Sequence, residues 1–283
     1  MVAFNFADKL IDPDSSSTLI VDALNLAFRW KHQGRTDFCS DYIRTVQSLA
    51  KSYDCGNIII TADWGSSTYR REIHPDYKQN RKEKFAEQSE AEKEAFEQFF
   101  LEFERTLEEL SESYTVLRYK GVEADDIAAH IVKEKEKYGL GTIWLISSDR
   151  DWDLLIQEGV SRFSYVTRKE VTVDNWSDFY DIDHEDYISM KCLTGDKGDN
   201  VPGIPGIGPK RATDLIRDYG SAMDIYDALP IQSNYKFIQT LNENGEQLLI
   251  NYQLMDLITY CDDAIGSDNL SDIEGRMVSA VTL

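Results

Sequence analysis

With 283 residues, 42% of them hydrophobic and 29% charged, the chain has the composition of a soluble globular protein with one large core or two unequal domains. A net charge of −21 argues against general attraction to phosphate, and no apolar run approaches the roughly 20 residues that span a bilayer, so a membrane-spanning helix is excluded. Four scattered cysteines and four scattered histidines, without Cys-x-x-Cys or zinc-ligand spacing, speak against a disulfide framework or a His-based zinc centre and fit reduced thiols in the cytoplasm.

Residues 1–17 are polar and acidic, lack the basic region and apolar core of a signal peptide, and are expected to form a flexible tail. Thr18 to Val21 then reads as a buried strand that runs into Asp22. Ser40 to Tyr53 has helical spacing and leads to a second strand, Asn57 to Ala62, ending at Asp63, which makes a βαβ unit. The connection from Asp63 to Ser113 exceeds an ordinary crossover and predicts a lid or arch at about residues 69–112. It opens with a basic stretch, Tyr69 to Lys84, in which six lysines and arginines face three acids. It continues as a charged helical pattern with a stripe at Phe96, Phe99, Phe100, Phe103 and Leu107, read as the apolar face of a connecting helix. A third strand, Tyr114 to Leu117, precedes Glu123, and a helix opened by Asp125 leads to the fourth, Thr142 to Ser148, before Asp149. Arg162 to Val166 and Glu170 to Val173 predict a hairpin, and beyond about Asp183 the strand signal gives way to helices. The expected fold is α/β: a mostly parallel central sheet with flanking helices and an arch insertion over residues 18–182, then an α-helical subdomain over 183–283.

Acids at strand ends carry the chemistry. In an open α/β sheet the ligand crevice lies beyond the carboxyl ends of the strands. Alone, Asp22 and Asp63 are equally structural acceptors, and Glu123, Asp125 and Asp126 equally helix-start acids. Together with Asp149 and Asp151 of SSDRDWD and Asp196 and Asp199 of GDKGDN they predict a site for divalent cations, since crowded carboxylates need neutralising. An all-oxygen donor set favours Mg²⁺ or Mn²⁺, and two such ions about 4 Å apart can activate a water and stabilise a leaving oxygen in phosphodiester hydrolysis.

VPGIPGIGPKRATDLI places Gly203, Gly206 and Gly208 between two helical segments, with Pro209 at a helix start followed by Lys210 and Arg211. Backbone NH groups in such a turn cradle a phosphate, so the segment looks like a helix-hairpin-helix module that reads DNA backbone with little sequence preference.

LIVDALN, GVEADD, SSDRDWDLL and GDKGDNVPGIPGIGPKRA, in this order, resemble the 5′-nuclease family of flap endonucleases, bacteriophage 5′-3′ exonucleases and the amino-terminal nuclease domain of bacterial DNA polymerase I. The likeness spans about Thr18 to Tyr260, and the short chain is most similar to the bacteriophage type. It implies a PIN-like or resolvase-like sheet, and it implies that Asp22, Asp63, Glu123, Asp125, Asp126, Asp149, Asp151, Asp196 and Asp199 hold two or more Mg²⁺ ions. It further implies an arch through or beneath which a 5′ single strand passes, with HPDYKQNRKEK as its basic approach. Lys78 and Arg81 would then touch the scissile phosphate, Tyr77 would stack on a base and Lys82 would bind DNA. The glycine hairpin would grip duplex DNA and hold a K⁺ through backbone carbonyls. The implied protein is a monomer that acts on branched or 5′-ended duplex DNA in replication or repair, in the cytoplasm, that of the host if a bacteriophage encodes it. The acidic stretch after Lys84 weakens any electrostatic attraction of DNA to the whole arch. Rival readings are a PIN-like ribonuclease, which leaves the hairpin without a duplex to grip, a catalytically inactive DNA-junction binder, which has no use for nine carboxylates, and a small-molecule phosphohydrolase.

Overall fold

The structure, a computed structural model, describes residues 16–281. Of the expected tail at residues 1–17, all but the last two lie outside the described residues. Six segments form the main sheet: β1 (Thr18–Asp22), β2 (Asn57–Thr61), β3 (Thr115–Leu117), β4 (Ile143–Ile146), β5 (Val160–Ser164) and β6 (Lys169–Val171). Their spatial order is β3-β2-β1-β4-β5-β6, parallel from β3 through β5, with β6 antiparallel at the edge. The segment expected only as half of a hairpin is therefore also a fifth parallel strand.

Side chains alternate between two cores. Ile20, Ile59, Leu117 and Leu145 enter one, and Leu19, Val21, Ile60 and Ile146 enter the other. Strands covered on both faces have no polar side, which is why these segments read as unbroken apolar runs.

Between β1 and β3 come α1 (Ala23–Lys31), α2 (Cys39–Ser52), α3 (Thr68–Ile73), α4 (Gln79–Ala86) and α5 (Glu90–Ser111). The expected long arch helix is broken at residues 87–89, where Ser89 and Glu92 form a capping box that restarts the chain as α5. Phe99, Phe103, Leu107 and Leu110 of α5 are buried in the second core against α1 and α2, whereas α4 buries nothing. Only the first part of the 69–112 segment therefore stands clear of the sheet layers; the rest is a crossover helix, as its aromatic stripe suggested.

After β3, α6 (Ala124–Lys133) lies in the first core. The remaining helices are α7 (Tyr187–Thr194), α8 (Pro209–Tyr219), α9 (Ala222–Asp227), α10 (Lys236–Glu243), α11 (Glu246–Met255), α12 (Leu257–Ile265) and α13 (Ser267–Val281). Residues from α7 to α11 build a third core around Cys192, Leu215, Ile225, Leu241 and Leu248. Strands do not end at Asp183: β7 (Gly195–Asp196) and β8 (Val201–Pro202) form a two-residue antiparallel ladder that the turn-rich sequence concealed. Nor do residues 183–283 form one separate body. Leu257, Cys261, Ile265, Ile273 and Met277 return to the first core beside Ile127 and Ile131, so the last two helices cover the sheet. No helix among the described residues is long and apolar enough to cross a membrane.

Candidate active site

Strand order reverses direction between β1 and β4, and an open parallel sheet splits its loops apart at such a point. Asp22 ends β1 there. It accepts from the Asn25 NH at 3.2 Å, capping α1, and from the Ser147 hydroxyl at 2.8 Å, just past β4. Burial, then the charge of Asp63, pushes its pKa up to about 8. Asp63, past the end of β2, accepts from the Ala124 NH at 2.7 Å at the start of α6, and burial raises its pKa against the pull of Lys78. Asp125 is raised well above the ordinary carboxylate value by burial and then by Asp126.

One carboxylate in this group is already neutralised. Glu123 receives the Lys78 ammonium at 2.7 Å, the Tyr77 hydroxyl at 2.9 Å, the Ser67 NH at 3.3 Å and an Arg70 NH at 3.4 Å. Burial opposes its ionisation, yet Lys78 and Arg70 bring its pKa down to about 2. Oxygens of Glu123, Asp125 and Asp126 lie within 4.8 Å of one another.

On the far side, Asp149 accepts from the Asp151 NH at 3.0 Å and caps a short 3₁₀ turn, Arg150–Leu155. Lys191 on α7, buried, bridges Asp151 at 2.6 Å and Asp196 at 3.0 Å. Against their burial, Lys191 lowers the Asp196 pKa, while burial still raises that of Asp151. Asp196 also accepts from the NH groups of Gly198 and Asp199, closing the loop between β7 and β8. Asp199 takes the Arg81 guanidinium at 2.5 Å, with the Lys78 ammonium 3.6 Å away. Asp125, Asp151, Asp196 and Asp199 line one small cavity with Arg70 and Tyr77. All nine predicted acids are thus brought to the carboxyl edge of the sheet.

Two assignments change. Tyr77 was expected to stack on a base, but it is 3% exposed and its ring lies in the third core beside Cys192 and Val201. Its hydroxyl contacts Glu123 and Asp199, so the tyrosine joins the arch to the acids and offers no free face to DNA. Asp126 was grouped with the ion-binding acids, yet it is fully buried and spends both oxygens on Arg70, at 2.7 Å each. The Arg70 guanidinium balances its charge and ties α3 to α6, and we assign Asp126 to that anchoring role.

Lys78 adopts a left-handed conformation, φ 56°, and its NH donates to the Asp199 carbonyl at 2.9 Å. That turn begins α4 and brings the ammonium inward, while Arg81 and Lys82 remain exposed. Sequence reasoning missed Arg70 and Lys191. The first of two arginines in TYRREI and a lysine inside the apolar ISMKCL are the faint signals, since a buried cation needs a partner.

In the hairpin, Ile204 and Ile207 are buried and hold the turn down. Gly203 passes so close to Thr194 that a Cβ would stand 2.2 Å from its carbonyl oxygen, and Gly206 has φ +85°. Gly208 and Pro209 start α8, whose Lys210 and Arg211 are exposed. Arg211 donates to the Gly206 carbonyl at 2.5 Å and lies over Phe237. A further cavity of about 360 Å³ is lined by Arg29, Arg35, Arg44 and Arg168 together with Asp41, which pairs with Arg35 and Arg44 and leaves a net positive lining. Local positive surfaces therefore coexist with the strongly negative total.

Residues 17–181 match the family described as "5′-3′ exonuclease, N-terminal resolvase-like domain", and residues 182–275 match "5′-3′ exonuclease, C-terminal SAM fold". The chain is 44% identical over 251 residues to the flap endonuclease of Escherichia phage T5, covering 88% of this chain and 86% of that one. It is 30% identical over 206 residues to DNA polymerase I of Bacillus caldotenax, covering 70% of this chain and 22% of the polymerase, so it corresponds to about a fifth of that protein. Among solved structures, the bacteriophage T5 flap endonuclease in a pseudo-enzyme–product complex with DNA and metal ions superposes with a TM-score of 0.90 at 42% identity, over 94% of this chain and all of that one.

Proposed function

The chain belongs to the 5′-3′ exonuclease family and is a metal-dependent, structure-specific 5′ nuclease acting on DNA phosphodiesters; we propose the residues that carry this activity and the ions they take. The observation that carries the reading is the gathering of buried carboxylates at one sheet edge, where Asp22, Asp63 and Asp125 are held above the ordinary carboxylate range. Burial and mutual repulsion disfavour their charge, and a hard divalent cation relieves both, which fits an all-oxygen donor set.

Two groups would hold ions: Asp22, Asp63, Glu123 and Asp125 on one side, and Asp149, Asp151, Asp196 and Asp199 on the other. Mg²⁺ is the ion proposed, with Mn²⁺ able to replace it; when bound it would activate a water and stabilise the leaving 3′-oxygen. Lys78 and Lys191 neutralise these acids in the meantime, because their ammonium groups sit on Glu123 and on Asp151 and Asp196. Lys78, beside Glu123 and Asp199, would reach the scissile phosphate, and Arg81, exposed beside it, would offset the charge that develops there. The Tyr77 hydroxyl, which donates to Asp199 at 3.0 Å, and the Asn80 amide, which donates to the Lys197 carbonyl at 3.0 Å, keep the start of the arch registered on the β7–β8 loop. Lys82 would follow the incoming strand. Gly203, Gly206, Gly208, Lys210 and Arg211 would grip downstream duplex by its phosphates, without reading bases. A K⁺ held by hairpin carbonyls belongs to the same reading. The enzyme would work as a cytoplasmic monomer on flaps, 5′ overhangs and duplex ends during replication or repair. In this assignment residues 18–182 carry the catalytic layer and 183–256 the DNA grip, with residues 257–281 returned to the catalytic core.

A 5′-labelled flap duplex incubated with Mg²⁺, with EDTA, and with the Asp149→Asn variant tests the reading. Mg²⁺-dependent cutting near the junction, lost with EDTA and in the variant, is expected. No such cut would refute it, and equal cleavage of single-stranded RNA would favour the PIN-like ribonuclease instead.

A further inference from the structure

Trp64 directly follows Asp63 and is 50% exposed, whereas Trp30, Trp152 and Trp176 are buried in the cores. Its main chain is held on both sides: the Trp64 NH donates to the Val122 carbonyl at 3.4 Å, and the Gly121 NH donates to the Trp64 carbonyl at 2.8 Å. The ring carries the Arg118 guanidinium 5.3 Å from its centroid. That guanidinium is itself fixed, by Glu104 of α5 at 2.6 and 2.7 Å and by the Asp63 carbonyl at 3.1 Å. The indole that follows Asp63 is therefore tied to the crossover helix α5 and to Asp63 itself.

Leaving an indole half in water forgoes hydrophobic stabilisation, and this one is ordered before any ligand arrives, so little entropy is lost when something covers it. The neighbouring carboxylates and their ions suit a phosphate; a flat apolar ring suits the base attached to it. Stacking on an aromatic ring is tolerant of sequence because every base has a π-face. We infer that Trp64 is a base-stacking platform that holds an unpaired nucleotide of the 5′ strand at the rim of the crevice and so favours substrates with a single-stranded 5′ end. This rests on the nuclease reading above.

The test compares wild type with Trp64→Ala and Trp64→Phe on a 5′-overhang duplex and on a blunt duplex of the same sequence. Trp64→Ala should lose about tenfold in kcat/KM on the overhang and less than twofold on the blunt end, with Trp64→Phe in between. In EDTA, where nothing is cut, the overhang should quench the exposed tryptophan fluorescence of wild type and leave that of Trp64→Phe unchanged. Equal losses on both substrates, or a quench that survives in Trp64→Phe, would overturn the assignment. If wild type cleaved neither duplex, the nuclease reading would fall, and the fluorescence comparison would still decide whether Trp64 meets a base.

Discussion

Replacing Asp126 by Asn separates two roles that the sequence left together. Arg70 is 5% exposed at its side chain and Asp126 not at all. The guanidinium also donates to the Leu254 carbonyl at 2.8 Å, so it ties α3, α6 and α11 into one contact. Removing Asp126 leaves the buried guanidinium with only its longer carboxylate contact, to Glu123 at 3.4 Å, and breaking such a buried pair costs about 3–5 kcal/mol. For a chain of this size that is a loss of roughly 6–10 °C in Tm. The measurement is thermal unfolding in EDTA, so that ion binding does not contribute. Asp126→Asn should show this loss, Arg70→Met a similar one, and the double variant Arg70→Met/Asp126→Leu should recover most of it, since an apolar pair leaves no buried charge. A Tm unchanged in EDTA, combined with an at least tenfold higher Mg²⁺ concentration needed for half-maximal cleavage, would show that Asp126 is an ion ligand and that the anchoring role is wrong.

Two further outcomes follow from the same geometry. Lys78→Ala should slow single-turnover cleavage by a factor of about 100 or more while changing duplex affinity less than threefold, because its ammonium faces the acids and not the duplex grip; pre-steady-state cleavage beside a binding titration reads both, and a collapse of binding with the rate intact would contradict it. In EDTA the protein should lose stability as pH rises. The Asp22 carboxyl is raised from 3.8 to about 8, so the folded state keeps a proton that the unfolded chain has released; the stabilisation is complete below about 4 and gone once pH passes about 8. Melting from pH 5 to 9 should show Tm falling in EDTA and falling less with Mg²⁺, with the difference reduced in Asp22→Asn; a Tm that rises over this range in EDTA would refute it.

The strand-end acids and the glycine hairpin were legible because their signals are local: an apolar run, then a carboxylate, or glycines at fixed offsets between helices. What pairs with those acids was not. Arg70 reaches Asp126 across 56 positions and Lys191 reaches Asp151 across 40, and nothing in the intervening sequence marks either partner. Tyr77 looked available because it lies in a basic, polar stretch; its burial depends on α7 and the β7–β8 loop arriving from the far end of the chain. The same distance explains why residues 257–281 read as a continuation of the helical part. Their apolar faces are ordinary helix stripes, and only the third dimension shows which core receives them.

That return of the chain has a consequence for modularity. The DNA-gripping helices are spliced into a core whose pieces β1 and α13 are separated by more than 240 positions of chain. A graft that exchanges everything after residue 182 with a relative must therefore also rebuild the layer over α6, whereas an exchange of residues 183–256 leaves that layer native. Inheritance of this enzyme by halves is correspondingly unfavourable, and the catalytic sheet and its final two helices are expected to vary as a single unit.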